Sequence, residues 1–198
     1  MPARLIALEG IDQSGKRTQT ELLAQRLRKK SFKVNTISFP IYRSPSGRQI
    51  RAFLNGKQTY PPQAIHMLYS LNRWENLDLI KKTMEHSDFV IADRYTPSNL
   101  AYGVSKGLDL RWLQDLDRGV PEPDLVLVLD VPVPASFARK SNGRDAHERN
   151  RRFMLKVRQN YRSLAKKLDW KLVNGTVPSE SVHLDLWNVV RGRFRLTS

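Results

Sequence analysis

Short apolar runs alternate with longer amphipathic stretches along the whole chain. RLIALE (4–9) is an apolar run of strand length that ends at a glycine-rich turn, so a buried strand is expected. TQTELLAQRLRKK (18–30) puts Leu22, Leu23 and Leu27 on one face at helical spacing. KVNTISF (33–39) alternates like a strand, and PSGRQIRAFLNG (45–56) reads as a short helix ended by Gly56. The spacing over 61–87 predicts one long helical stretch opened by prolines. DFVIAD (88–93) follows as a strand, then two short helices over 97–106 and 109–119, and the strand DLVLVLDV (124–131). A helix over 151–168, a last strand at 170–174 and a closing helix over 179–192 complete the pattern.

Strands separated by helices predict an α/β fold whose parallel sheet is covered on both faces by right-handed crossovers. Ligands of such sheets gather at the carboxyl ends of the strands. Three chemically loaded segments fall there: GIDQSGK after the first strand, FPIYR after the second and DRY after the third.

Length and composition narrow the class. The 198 residues, 40% hydrophobic and 27% charged, suit a single domain over 1–198 with a full core. The absence of cysteine excludes disulfides and thiolate metal sites. The longest apolar run, near 125–129, is far short of a membrane span, and MPARLIALEG carries no cleavage pattern. A cytoplasmic protein without a membrane partner is expected. The net charge of +15 admits two readings, a basic surface around a phosphate-handling site or a nucleic-acid binder. Basic residues are scattered, denser at 139–167, with no aromatic–basic interleaving, so nucleic acid is not the expected partner.

GIDQSGKRT (10–18) fits a phosphate loop, G-x-x-x-x-G-K, through Gly10, Gly15 and Lys16. A glycine-rich turn lets backbone N–H groups converge on a triphosphate, the following helix start adds partial positive charge, and Lys16 adds a full one. The segment Gly10, Ile11, Asp12, Gln13, Ser14, Gly15, Lys16, Arg17 and Thr18 is therefore the expected ATP-binding loop. Its departure is Arg17, where the pattern wants a hydroxyl for magnesium; Thr18 comes one position late. Arg17 either points outward or reaches the phosphates. Thr18 or water fills the metal position, or Asp93 and the nucleotide carry the ion.

Taken together, LEGIDQSGKRTQ (8–19), FP (39–40), SLNRWE (70–75), DRYTPSNLAYGVSKG (93–107), GVPEPDLVLVLDV (119–131) and RKSNGRDAHERNRRF (139–153) resemble the thymidylate kinases. The resemblance implies a P-loop kinase fold, a three-layer α/β/α sandwich with a five-stranded parallel sheet in the order 2-3-1-4-5 and a flexible lid at about 139–152. It implies transfer of the γ-phosphoryl group of ATP to dTMP, with Mg²⁺, in a homodimer contacting through 61–87 and 97–106. It assigns Asp12 to the acceptor sugar and the transferred phosphoryl, and Asp93 to magnesium. Arg94 clamps the acceptor phosphate and Arg73 donates to the thymine carbonyl. Tyr69 stacks on the base, Phe39 forms a pocket wall, Ser98 and Asn99 lie near the base edge, and Tyr102 underlies the deoxyribose. Lid arginines, Arg139 and Arg144 foremost among Arg139, Arg144, Arg149, Arg151 and Arg152, are expected to close over the γ-phosphate, because Gln13 in the loop is neutral. Asn174 to Val177 matches the adenine loop. Where the family places an arginine after FP, this chain has Tyr42, with Arg43 adjacent as the expected substitute.

His66, His86, His147 and His183 are scattered and expected on helix or loop surfaces, so no covalent intermediate is indicated. Two rivals remain: a kinase of the same architecture acting on dUMP, a modified deoxynucleotide or a nucleoside, and a catalytically weak P-loop protein that binds nucleic acid.

Overall fold

The computed structural model describes residues 3–139 and 150–196 of the chain. Strands β1 (Arg4–Gly10), β2 (Val34–Ser38), β3 (Phe89–Asp93), β4 (Leu125–Asp130) and β5 (Lys171–Asn174) form one sheet in the order β2-β3-β1-β4-β5. Every pairing is parallel. This is the order expected of the P-loop kinase architecture.

Strand position explains strand composition. The inner strands β1, β3 and β4 are buried on both sides and read as continuous apolar runs. The edge strands β2 and β5 keep several residues exposed. Alternate residues of the inner strands feed two separate cores. Leu5, Ala7, Val90, Ala92, Val126 and Val128 pack with Leu100, Val157, Tyr161 and Leu164 on helices α5 (Thr96–Ser105) and α8 (Arg151–Lys167). Ile6, Leu8, Ile91, Leu127 and Leu129 pack with Leu23, Leu27, Leu186 and Val190 on helices α1 (Lys16–Lys29) and α9 (Ser179–Phe194). Each of these Leu, Ile and Val side chains contributes about 1.5–3 kcal/mol by leaving water. The remaining helices among the described residues are α2 (Pro45–Leu54), α3 (Pro62–Glu75), α4 (Leu77–Glu85), α6 (Leu110–Leu116) and α7 (Val133–Arg139).

The expected single helix over 61–87 is two helices, α3 and α4, divided at Asn76. Asn76 has φ −107° and ψ 19°, and its side-chain amide donates to the Asn72 carbonyl at 2.7 Å. A short amide side chain competing for backbone partners is a common helix interruption. Helix α7 was not anticipated; its seven residues are too few to show a period. The register sets Leu8 against Asp93 and Gly10 against Leu129, so the ends of β1, β3 and β4 meet in one plane.

Candidate active site

The turn from β1 into α1 needs its glycines. Gly10 has φ +138°, and a Cβ there would lie 2.7 Å from the Leu129 carbonyl oxygen of the neighbouring strand. Gly15, at φ 96°, is the N-cap of α1 and supplies no side-chain cap, leaving first-turn N–H groups for an anion. Lys16 is buried and its Nζ donates to the carbonyls of Gly10 (3.2 Å) and Ile11 (2.9 Å). Burial and the nearby Arg94 guanidinium push the Lys16 ammonium down to about 8, against the opposing pull of Asp12, Asp93 and Glu9.

The loop opens into a cavity of about 560 Å³ between the ends of β1, β2 and β3 and helices α3 and α5. Asp12, Lys16, Phe39, Tyr69, Arg73, Asp93, Arg94, Ser98, Asn99 and Tyr102 all line it. The expected acceptor-side residues are thus brought together, with the exception of Arg43. That residue is exposed and outside the wall, and Tyr42 occupies the wall position with the Arg51 guanidinium over its ring at 4.7 Å.

Asp12 and Arg94 form the centre of the site. Arg94 Nη2 donates to Asp12 Oδ1, Nη1 donates to Ser98 Oγ at 3.1 Å, and Tyr102 donates its hydroxyl to Asp12 Oδ2 at 3.0 Å. Burial alone would raise the Asp12 carboxyl, but Arg94, Lys16 and these hydrogen bonds outweigh it and bring it to about 2. Asp12 therefore stays an anion, directed at Arg94 and Tyr102.

Glu9 holds this arrangement from below, and sequence reasoning missed it. It is fully buried and accepts from Tyr95 N (2.7 Å), Ser98 Oγ (2.6 Å) and Tyr161 OH (2.9 Å). Burial raises its carboxyl, partly offset by Arg94 and these donors. The bonds fix the turn between β3 and α5, where Arg94 takes the left-handed φ of 64°. A glutamate inside an apolar strand, just before the phosphate loop, was the available signal.

At the far end, Arg73 and Tyr69 face the cavity from α3. Arg73 does not stand alone there. Its Nε and Nη2 donate to Asp117 at 2.9 and 2.6 Å, and Ser70 Oγ donates to the same carboxylate at 2.8 Å. His66 corrects an expectation: it is buried on the cavity wall, not on a surface. Burial pulls its imidazole down to about 4, so the neutral ring donates Nδ1–H to Asn99 Oδ1 at 2.6 Å. His86 is exposed as expected, His183 is half-buried, and His147 lies outside the described residues.

Arg17 points outward. Its side chain is 88% exposed at the cavity rim and pairs with Glu21 at 3.2 Å. Thr18 is exposed on the first turn of α1. Arg139, expected over the γ-phosphate, instead donates to the carbonyls of Gln13 (3.2 Å) and Gly175 (2.8 Å), tying the phosphate loop to the segment after β5. Arg151 lies over the Phe137 ring and Arg152 is exposed. Arg144, Arg149 and most of the expected lid lie outside the described residues.

Among the described residues no three His, Cys, Asp or Glu groups could hold a metal by themselves. The donor set suits a small hard cation that keeps its waters and phosphate oxygens and takes one protein carboxylate, here Asp93 on the cavity wall. Fixed cations lie at one end of the cavity and an aromatic ring with hydrogen-bond donors at the other.

A family model described as thymidylate kinase matches residues 8–186. The thymidylate kinase of Schizosaccharomyces pombe is 33% identical over 192 residues, covering 94% of this chain and 91% of its own. The probable thymidylate kinase of Thermococcus kodakarensis is 38% identical over 190 residues, covering 90% and 92%. The solved thymidylate kinase of Candida albicans superposes with a TM-score of 0.80 at 29% identity, over 96% of this chain and 92% of that one. Among the described residues no helix is long and apolar enough to cross a membrane. The chain belongs to the thymidylate kinase family.

Proposed function

We propose that this protein transfers the γ-phosphoryl group of ATP to dTMP, giving dTDP and ADP, through the cavity between the phosphate loop and α3. The observation that carries this reading is the joint placement of Lys16, Asp12 and Arg94 in one cavity with Tyr69, Arg73 and Tyr102. Lys16 and the first N–H groups of α1 hold the β and γ phosphates of the donor. The Arg94 guanidinium, a planar fork with several donors, grips the dTMP phosphate. Asp12 keeps Arg94 and Tyr102 in place and takes the deoxyribose hydroxyl. Tyr69 stacks on the base and Arg73 donates to its carbonyl. No base of raised basicity is required, because in-line transfer depends on positioning and on neutralising spread charge. Asp93, with Thr18 or water, would hold Mg²⁺, which would supply positive charge to offset that of the donor phosphates.

The same reading makes the chain a single-domain cytoplasmic enzyme, with ATP and dTMP as its partners and neither a membrane nor a nucleic acid among them. It is a homodimer. Met67, Leu71 and Trp74 on α3 are 49, 51 and 39% exposed and recur at helical spacing, an apolar stripe opposite the one that faces the cavity. Initial rates of ADP release with ATP-Mg²⁺ and dTMP, dUMP, dCMP, UMP or thymidine test the function. Selective turnover of dTMP is expected. A preference for dUMP moves the assignment to the rival acceptor, and turnover of thymidine but not dTMP removes Arg94 as a phosphate clamp.

A further inference from the structure

The base end of the cavity contains a buried ion pair that the phosphoryl chemistry does not use. Arg73 and Asp117 side chains are 4 and 6% exposed, on elements far apart in sequence: α3 and the C-terminal end of α6. Nε and Nη2 of Arg73 are both committed to the carboxylate, at 2.9 and 2.6 Å. Ser70, three residues before Arg73 on α3, gives its hydroxyl to Asp117 Oδ1 at 2.8 Å. Among the described residues the guanidinium is held at two of its three nitrogens, and Nη1 is the one left for a ligand in the cavity that Arg73 lines.

We propose that Asp117 is a positioning residue for base selection: it sets the direction of the Arg73 guanidinium and thereby the preference for thymine over cytosine. The proposal rests on the base-reading role of Arg73 given above. Guanidinium nitrogens donate and never accept. A donor edge held in place matches the carbonyl at position 4 of thymine and meets the amino group of cytosine donor to donor. Fixing an arginine side chain costs rotamer freedom. Asp117 removes that freedom before dTMP arrives, so binding does not have to. The carboxylate also compensates a buried positive charge, without which Arg73 would turn toward solvent or toward another acceptor. Asp117 touches neither phosphate nor sugar, so its effect falls on dTMP affinity and leaves phosphoryl transfer alone.

The test compares Asp117→Asn, Asp117→Glu, Ser70→Ala, Arg73→Gln and the Asp117→Asn/Arg73→Gln double variant. Measured are kcat, KM for dTMP, dCMP and ATP, and Tm. Asp117→Asn is expected to raise KM for dTMP about tenfold or more and to lower the dTMP-to-dCMP preference similarly, with kcat and KM for ATP within about threefold. Asp117→Glu, which keeps the charge, recovers part of the loss. Added to Arg73→Gln, Asp117→Asn raises KM for dTMP no further, because its effect runs through the arginine. A folded Asp117→Asn variant with wild-type KM and preference overturns the proposal. So does a uniform fall in kcat and both affinities, the mark of a merely structural role. If Asp117→Asn does not fold, Ser70→Ala decides: a rise of about threefold in KM for dTMP supports the proposal and no change overturns it. Arg73→Gln with wild-type KM removes the base-reading role itself and the proposal with it. A weakened Arg73→Gln beside an unaffected Asp117→Asn removes the proposal alone.

Discussion

Raising the pH should switch off ATP capture well below the range where lysines ordinarily titrate. The Lys16 ammonium is brought down from 10.5 to about 8 by burial and by Arg94, against Asp12, Asp93 and Glu9. A group titrating at about 8 is roughly nine-tenths protonated at pH 7 and roughly one-tenth at pH 9. An ordinary lysine would still be almost fully charged at pH 9. The triphosphate needs the charged form, so kcat/KM for ATP should fall about tenfold between pH 7 and pH 9, with a limiting slope of −1. With ATP saturating, the bound phosphates hold the proton on Lys16, and the limb in kcat moves to higher pH. The assay is coupled ADP release at saturating dTMP over pH 6–10, with the coupling enzymes checked at each pH. Lys16→Arg, which never loses its charge, should turn over slowly but lack the limb. A wild-type kcat/KM that stays flat to pH 10 would contradict the site as described. Stability carries the opposite sign: between about pH 8 and 10.5 the unfolded chain binds the extra proton, so the ligand-free fold gains stability as pH rises.

Three substitutions probe the surrounding structure. Gly10→Ala, whose Cβ would sit 2.7 Å from the Leu129 carbonyl at φ +138°, should lower Tm by about 4 °C or more and abolish ATP binding in calorimetric titration. Glu9→Ala takes the acceptor from the buried Tyr95 N–H and leaves the Ser98 and Tyr161 hydroxyls, 3.1 Å apart, only each other to pair with, so it should cost about 2–4 kcal/mol in urea unfolding; a loss under about 1 kcal/mol would show that the network contributes little. The Tyr95 hydroxyl is buried without a hydrogen-bond partner among the described residues, so Tyr95→Phe should leave Tm unchanged or raise it by a few degrees, and a clear fall would reveal a partner.

Much of this was legible because the physics is local. The inner strands announce themselves as unbroken apolar runs such as 125–129, and Gly10, Gly15 and Lys16 mark a turn that few other residues could form. The acceptor wall, Tyr69, Arg73, Arg94 and Tyr102, followed from resemblance and gathers in one cavity. What stayed hidden depends on distant partners. Asp117 lies 44 residues from Arg73, and Glu9 lies 86 to 152 residues from its donors. Periodicity shows which face of a helix is polar and leaves open what meets it. His66 shows how: with Ser70 and Arg73 it forms a polar stripe at i, i+4 and i+7, directed inward on a helix whose apolar stripe faces out. That inversion was visible in the sequence and would have placed His66 in the cavity. Arg139 is the reverse case: a basic residue near a lid has several carbonyls within reach, and here it meets those of Gln13 and Gly175.

Phosphorus NMR of the protein with ATP, Mg²⁺ and dTMP observes the transfer itself. The α and β resonances of dTDP should grow in equal amounts with those of ADP, without orthophosphate, and Arg94→Ala should suppress dTDP formation at least a hundredfold. Orthophosphate in place of dTDP, or no change in either nucleotide, would contradict the assignment of this cavity to phosphoryl transfer onto dTMP.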